Sequence, residues 1–162
     1  MTTLKIPILT FHSLDHGASP LSFPPLLFRR GMAQLHRAGF RTVTVSRAAR
    51  LLRNDNDGVS PEPLMAITFD DGCQSFSEHA FPVLRDLGYQ ATVFVITAPA
   101  GSTDLPFMKG KLHLTWDQLG RLHESGVEIG AHTVTHPDLT RLDEAGIVAE
   151  FEGSRAAIAD RV

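Results

Sequence analysis

Two short clusters bring together side chains that could do chemistry. Asp70-Asp71-Gly72 follows the apolar stretch Ile67-Thr68-Phe69. His132-Thr133-Val134-Thr135-His136 follows the small residues Gly130-Ala131 and carries two imidazoles four positions apart. Adjacent carboxylates repel each other unless a cation or hydrogen bonds compensate. The same Asp-Asp-Gly is also an ordinary turn sequence. Nor does the histidine spacing discriminate by itself, because His12 and His16 repeat it. Placement distinguishes the later pair, although two plain loop histidines would read the same way. Taken together, one carboxylate and two imidazoles suit Zn²⁺ or another borderline divalent ion (Co, Ni, Fe or Mn), with a fourth position left for water. The second carboxylate is then free to take a proton from that water, whose pKa the ion lowers.

Such residues work only if the fold gathers them, and the pattern of elements predicts that it does. Short apolar runs alternate with amphipathic stretches, as in a parallel α/β sheet. Strands are predicted over Ile6 to Phe11, Phe40 to Val45, Leu64 to Phe69, Ala91 to Thr97 and Val127 to Ala131. Helices are predicted over Pro24 to Ala38 with Ser22 as cap, from Ser46 to Arg53, over Phe81 to Leu87, from the capping box Thr115-Trp116-Asp117-Gln118 to Glu124, and from Asp143 to Asp160. The Asn-, Asp-, Gly- and Pro-rich stretch from Asn54 to Pro63 and the segment holding Gly101, Pro106 and Gly110 read as loops. His12, Asp70, Asp71 and His132 each fall directly after a strand. In parallel α/β folds the C-terminal strand ends share one rim, where sites assemble.

Composition narrows the partners. The chain has 162 residues, 43% hydrophobic and 20% charged, with a net charge of −3. That describes a single globular domain with chain enough for its own core. No extended Lys/Arg run is present, so nucleic acid and anionic membranes are poor partners. A lone cysteine, Cys73, excludes an intramolecular disulfide framework. The N-terminal apolar run is short and broken by Pro7, and no run approaches the length of a membrane span, so a cytoplasmic location is expected.

Thr68-Phe69-Asp70-Asp71-Gly72 and His132-Thr133-Val134-Thr135-His136 resemble the first two motifs of the polysaccharide deacetylase family, the NodB-homology carbohydrate esterases. Ala91-Thr92-Val93-Phe94-Val95 resembles the strand between them. Thr115 through Gly130 resembles the lead-in to the second motif, and the similarity runs from about Ile8 to the end. It implies a distorted (β/α) barrel, here incomplete at its C-terminal side. It also implies Asp70 as general base and Asp71, His132 and His136 as metal ligands. The later family elements, including an arginine that orients the base, are not found in these 162 residues. In a circularly permuted branch, typified by poly-N-acetylglucosamine deacetylases, the general-acid histidine ends the first strand. Leu9-Thr10-Phe11-His12 is similar to that element and makes His12 the counterpart.

The resemblance therefore implies removal of an N-acetyl, or else O-acetyl, group from a sugar or glycan. Two other readings stay open at this point: hydrolysis of a non-sugar amide at the same centre, and a non-catalytic domain that binds metal or carbohydrate. Missing barrel units would leave an open strand edge and invite self-association. Cys73 reads as a small loop residue, Trp116 as packing, and His16 as a loop residue. His36, His79, His113 and His123 receive no role.

Overall fold

The computed structural model describes residues 4–53, 62–98 and 110–162. The sheet is built on β5 (Leu64–Phe69), whose residues after Leu64 are all buried. That is the behaviour expected of an apolar, partly β-branched segment covered on both faces. β1 (Ile8–Phe11) pairs with it in parallel from Ala66 to Phe69, and β4 (Arg41–Val43) pairs in parallel from Leu64 to Ala66. β6 (Thr92–Val95) is parallel to Thr68 and Phe69, and β7 (Glu128–Ala131) is parallel to β6 along its length. A regular barrel gives each strand two neighbours, whereas β5 has three. Short β4 occupies its beginning and β6 its end, and this is where the (β/α) barrel is distorted. The sheet does not close among the described residues, since β1 pairs only with β5 and β7 only with β6.

Several predicted boundaries move, each for a local reason. Strand β1 starts at Ile8, although the Pro7 carbonyl still accepts the Ala66 N–H. Helix α1 (Pro25–Arg37) has no side-chain cap. Ser22 belongs instead to a two-residue strand, β3 (Ser22–Phe23), paired with β2 (Ser13–Leu14). Helix α2 (Val45–Arg53) begins one residue before Ser46, and the Thr44 hydroxyl accepts from Arg47 N–H at 3.3 Å. Its exposed Ser46 N–H donates to Glu128 Oε2 at 3.2 Å, so β7 supplies a carboxylate to the helix start. Helix α3 (Phe81–Asp86) is preceded by a π-helical turn over Phe76–Ala80. Helix α4 (Trp116–Glu124) has its capping box complete, with Gln118 N–H donating to Thr115 Oγ1 and Thr115 N–H to Gln118 Oε1. Asp143 caps α5 (Glu144–Ala159) through Gly146 N–H. The predicted loops lie largely outside the described residues.

Under the C-terminal rim sits a cluster of phenylalanines. Phe69 stacks on Phe11 at 5.4 Å between ring centroids and meets Phe28 at 5.7 Å and Phe76 at 4.8 Å edge-on. Each such pair adds about 0.5–1.5 kcal/mol beyond area burial. Phe69 and Phe11 are the residues immediately before Asp70 and His12, so the packed rings hold the strand ends that carry those groups. Trp116 packs against this core, with the Arg161 guanidinium 4.9 Å from its ring centroid. No helix among the described residues is long and apolar enough to cross a membrane.

Candidate metal centre

His12, Asp70, Asp71 and His132 leave strands at the same end of the sheet, and His136 follows in the loop after β7. The Asp70 N–H continues the β5–β1 ladder by donating to the Phe11 carbonyl at 2.9 Å, which places His12 beside Asp70 on the rim. His132 N–H likewise donates to the Val95 carbonyl at 2.9 Å as β7 ends. After these points the chain turns sharply. Asp71, Thr133 and His136 are the non-glycine residues with left-handed backbone among those described, at φ 68°, 68° and 56°. Such conformations cost about 1–2 kcal/mol per residue and persist where the surroundings enforce them. Here all three fall in the two clusters.

The turns bring three donors together. Asp71 Oδ1 lies 3.4 Å from His132 Nε2 and 3.7 Å from His136 Nε2, and the two imidazole centroids are 5.0 Å apart. Donors held about 2.0–2.2 Å from a tetrahedral ion sit about 3.3–3.6 Å from each other, so the spacing suits a divalent ion better than direct hydrogen bonds. Asp71 is buried, and its Oδ1 accepts no hydrogen bond. A buried carboxylate oxygen without a donor is costly unless a cation faces it. The residues present therefore fit a metal.

Electrostatics separate the two acids. Burial is the largest influence on both and works to raise them. At Asp70 it prevails over the charges of His132 and His12, leaving that carboxyl above the usual carboxylate range. At Asp71, contact with His132 and the charges of His12, His132 and His136 prevail and hold it low. His132 is in turn raised by Asp71 against its own burial. Asp71 is thus held in its charged form more firmly than Asp70.

The remaining candidates separate cleanly. His16 is exposed in the β2–β3 turn and away from the three donors. Cys73 is packed against Ile96 and Leu21, and burial pushes its thiol up to about 12, so it is a core residue. His113 is buried where its backbone bridges to Cys73.

Sequence reasoning passed over Glu150 on α5. Its Oε2 accepts from the N–H groups of Val134 at 2.6 Å and Thr135 at 2.9 Å, and its Oε1 accepts from the Thr135 hydroxyl at 2.7 Å. Burial works against its charge, but these donors prevail and lower it. An acid on a helix that also carries Glu144 and Glu152 gives no local signal of such a role. Also passed over was the polar knot next to the rim, where Asp15 pairs with Lys111 and with the Ser13 hydroxyl, while Lys111 Nζ donates to Ser22 Oγ at 2.9 Å.

The family model described as polysaccharide deacetylase matches residues 57–162, a stretch that includes Asp70, Asp71, His132 and His136. YxkH of Bacillus subtilis, whose name assigns it provisionally to the polysaccharide deacetylases, is 36% identical over 151 residues, 93% of this chain and 50% of its own length. The poly-beta-1,6-N-acetyl-D-glucosamine N-deacetylase of Escherichia coli K12 is 27% identical over 140 residues, covering 77% of this chain and 20% of that protein. The chain thus spans half or less of the length of these relatives. Among solved structures, the deacetylase PplD of Streptococcus pyogenes, in complex with acetate, superposes with a TM-score of 0.83 at 27% identity, over 99% of this chain and 70% of that one. IcaB from Ammonifex degensii follows with a TM-score of 0.77 at 25% identity, over 96% and 69%.

Proposed function

Because the chain belongs to the polysaccharide deacetylase family, we propose that it carries the metal centre of a hydrolase that removes N-acetyl groups from an amino-sugar glycan. O-acetyl groups are the secondary target. The observation that carries this reading is the buried, donor-free Asp71 Oδ1 flanked by two imidazole nitrogens at 3.4 and 3.7 Å. Zn²⁺ is the first choice for the ion, held by Asp71, His132 and His136. When bound, such an ion polarises an acetyl carbonyl and acidifies water.

The chain's own residues supply the proton transfers. Asp70, not required as a ligand, accepts a proton from the attacking water. His12, on the adjoining strand end, gives a proton to the departing amine nitrogen, a step an amide requires because a free amide anion is a poor leaving group. Catalysis by positioned acids and bases of this kind contributes about 10²–10⁴-fold.

The test is acetate release from oligomers of N-acetylglucosamine, compared with O-acetylated xylan oligomers and with cyclic ureides, using chelated protein and protein resupplied with Zn²⁺. Metal-dependent acetate release from the N-acetylated oligomers is expected. Ureide hydrolysis alone would assign the centre to a non-sugar amide. Zn²⁺ uptake with no turnover of any substrate would reduce it to a binding domain.

A further inference from the structure

Two observations on α5 converge on the loop that carries both histidines. Glu150 takes three hydrogen bonds from Val134 and Thr135, the residues at the centre of that loop. Three residues later, and so on the same helix face, Gly153 lies so close that a Cβ there would come within 2.9 Å of Val134 Cγ2. The helix is therefore seated directly on the loop. From the other side the loop is gripped where β6 ends, with Thr97 N–H donating to the Thr133 carbonyl at 3.2 Å and Ala98 N–H to the Val134 carbonyl at 2.9 Å. Within it, His136 N–H donates to Thr133 Oγ1 at 3.0 Å.

The restraint matters because the loop is held in an unfavourable shape. Thr133 and His136 both have left-handed backbone, which each would leave if the chain were free to relax. A change of backbone at either residue would alter how the His136 ring, now 3.7 Å from Asp71 Oδ1, is presented to it. A carboxylate accepting from two successive amides and a hydroxyl is a strong, charge-assisted anchor. It fixes the peptide units between the two left-handed residues through atoms that belong to neither imidazole.

We propose that Glu150 is a positioning residue that sets the His132–His136 loop before an ion binds, so that divalent-ion affinity depends on a helix that supplies no ligand. The proposal rests on the reading of Asp71, His132 and His136 as a metal centre. It also makes a chemical distinction. Glutamine in place of Glu150 can keep the pattern: its Oε1 accepts from the two amides, and its Nε2 donates to the Thr135 hydroxyl, which accepts equally well. Alanine cannot.

The experiment is titration of the metal-free chain with Co²⁺, followed by visible absorption. The variants are Glu150→Ala, Glu150→Gln and, as a control, Glu152→Ala, whose carboxylate pairs with Arg155 on the same helix. Glu150→Ala should weaken Co²⁺ binding about 10–100-fold, the usual scale for residues that orient ligands. Glu150→Gln should lose clearly less affinity than Glu150→Ala, and Glu152→Ala should be unchanged. Hydrogen exchange of the Val134 and Thr135 amides in the metal-free state should accelerate in Glu150→Ala alone. Wild-type affinity in Glu150→Ala, equal losses in the alanine and glutamine variants, or unaltered loop exchange would each overturn the proposal while leaving the metal reading intact. Wild-type protein that takes up no Co²⁺ would overturn the metal reading, and the proposal with it.

Discussion

Gly130 and Phe94 are in such close contact that a Cβ on Gly130 would lie 2.6 Å from Cδ1 and 2.7 Å from Cε1 of the phenylalanine ring. The two residues are register partners on β7 and β6, and the ring lies across the glycine with its centroid 6.5 Å from that of His132. The missing side chain is what lets an aromatic ring back the first histidine. Gly130→Ala must displace the ring, an overpacking that costs about 1–3 kcal/mol. A lower urea midpoint together with weaker Co²⁺ binding is expected. Unchanged Co²⁺ affinity would show that Phe94 does not support His132.

The two acids should separate by metal content. Asp71→Asn, His132→Ala and His136→Ala should each purify without bound ion, because the alanines remove a donor and the asparagine leaves only a neutral, weaker one. Asp70→Asn should retain the ion and lose turnover, and His16→Ala should change neither. Elemental analysis alongside acetate release reads both properties. A metal-free Asp70→Asn with a loaded Asp71→Asn would reverse the roles.

His12 should matter according to the leaving group. His12→Ala is expected to slow hydrolysis of an N-acetylated sugar by about 10²-fold or more, since amine expulsion needs a proton. An activated aryl acetate, whose phenolate departs unprotonated, should be affected far less. Equal losses on both substrates would remove His12 as the acid.

Acid stability should depend on Asp15. Burial works to raise this carboxyl, but Lys111, the Ser13 and Ser22 hydroxyls and the Gly17 N–H prevail and hold it well below the usual carboxylate range. A group whose pKa is lower folded than unfolded stabilises fully above its unfolded value of about 3.9, and that contribution fades as pH falls below it. Asp15→Asn should therefore be destabilising at pH 7 and much less so near pH 2. Urea midpoints at the two pH values measure the difference, and an equal deficit at both would contradict it.

The open sheet edges should show in solution behaviour. Strand β1 pairs on one side only among the described residues, and Ile8 on it is 55% exposed. Concentration-dependent association in sedimentation experiments is expected, relieved by Ile8→Lys, since charge on an edge strand opposes pairing with another chain. A strictly monomeric wild type would show that the edge is otherwise protected.

Much of the site was legible because its signals are local. Phe69 to Asp70 and Ala131 to His132 are junctions between an apolar run and a polar residue. In a parallel sheet such junctions fall on one rim whatever the strand order, so Asp70, Asp71, His132 and His12 could be gathered from sequence alone. The capping box of Thr115 and Gln118 was readable for the same reason, since both partners lie within one helical turn. Tertiary structure alone decided how the site is held. Asp71 at least lies in an Asp-Asp-Gly turn sequence, but nothing local requires left-handed backbone at Thr133 or His136, where no glycine adjoins. Glu150 reaches its loop across fifteen and sixteen residues, and Lys111 reaches Asp15 across ninety-six. The third partner of β5 and the two-residue β2–β3 pair likewise depend on which segments dock, not on their own propensities. Hydrophobic periodicity and capping report contacts within a few residues of chain. The strain that aims the ligands and the anchors that sustain it come from contacts made only after the helices pack on the sheet.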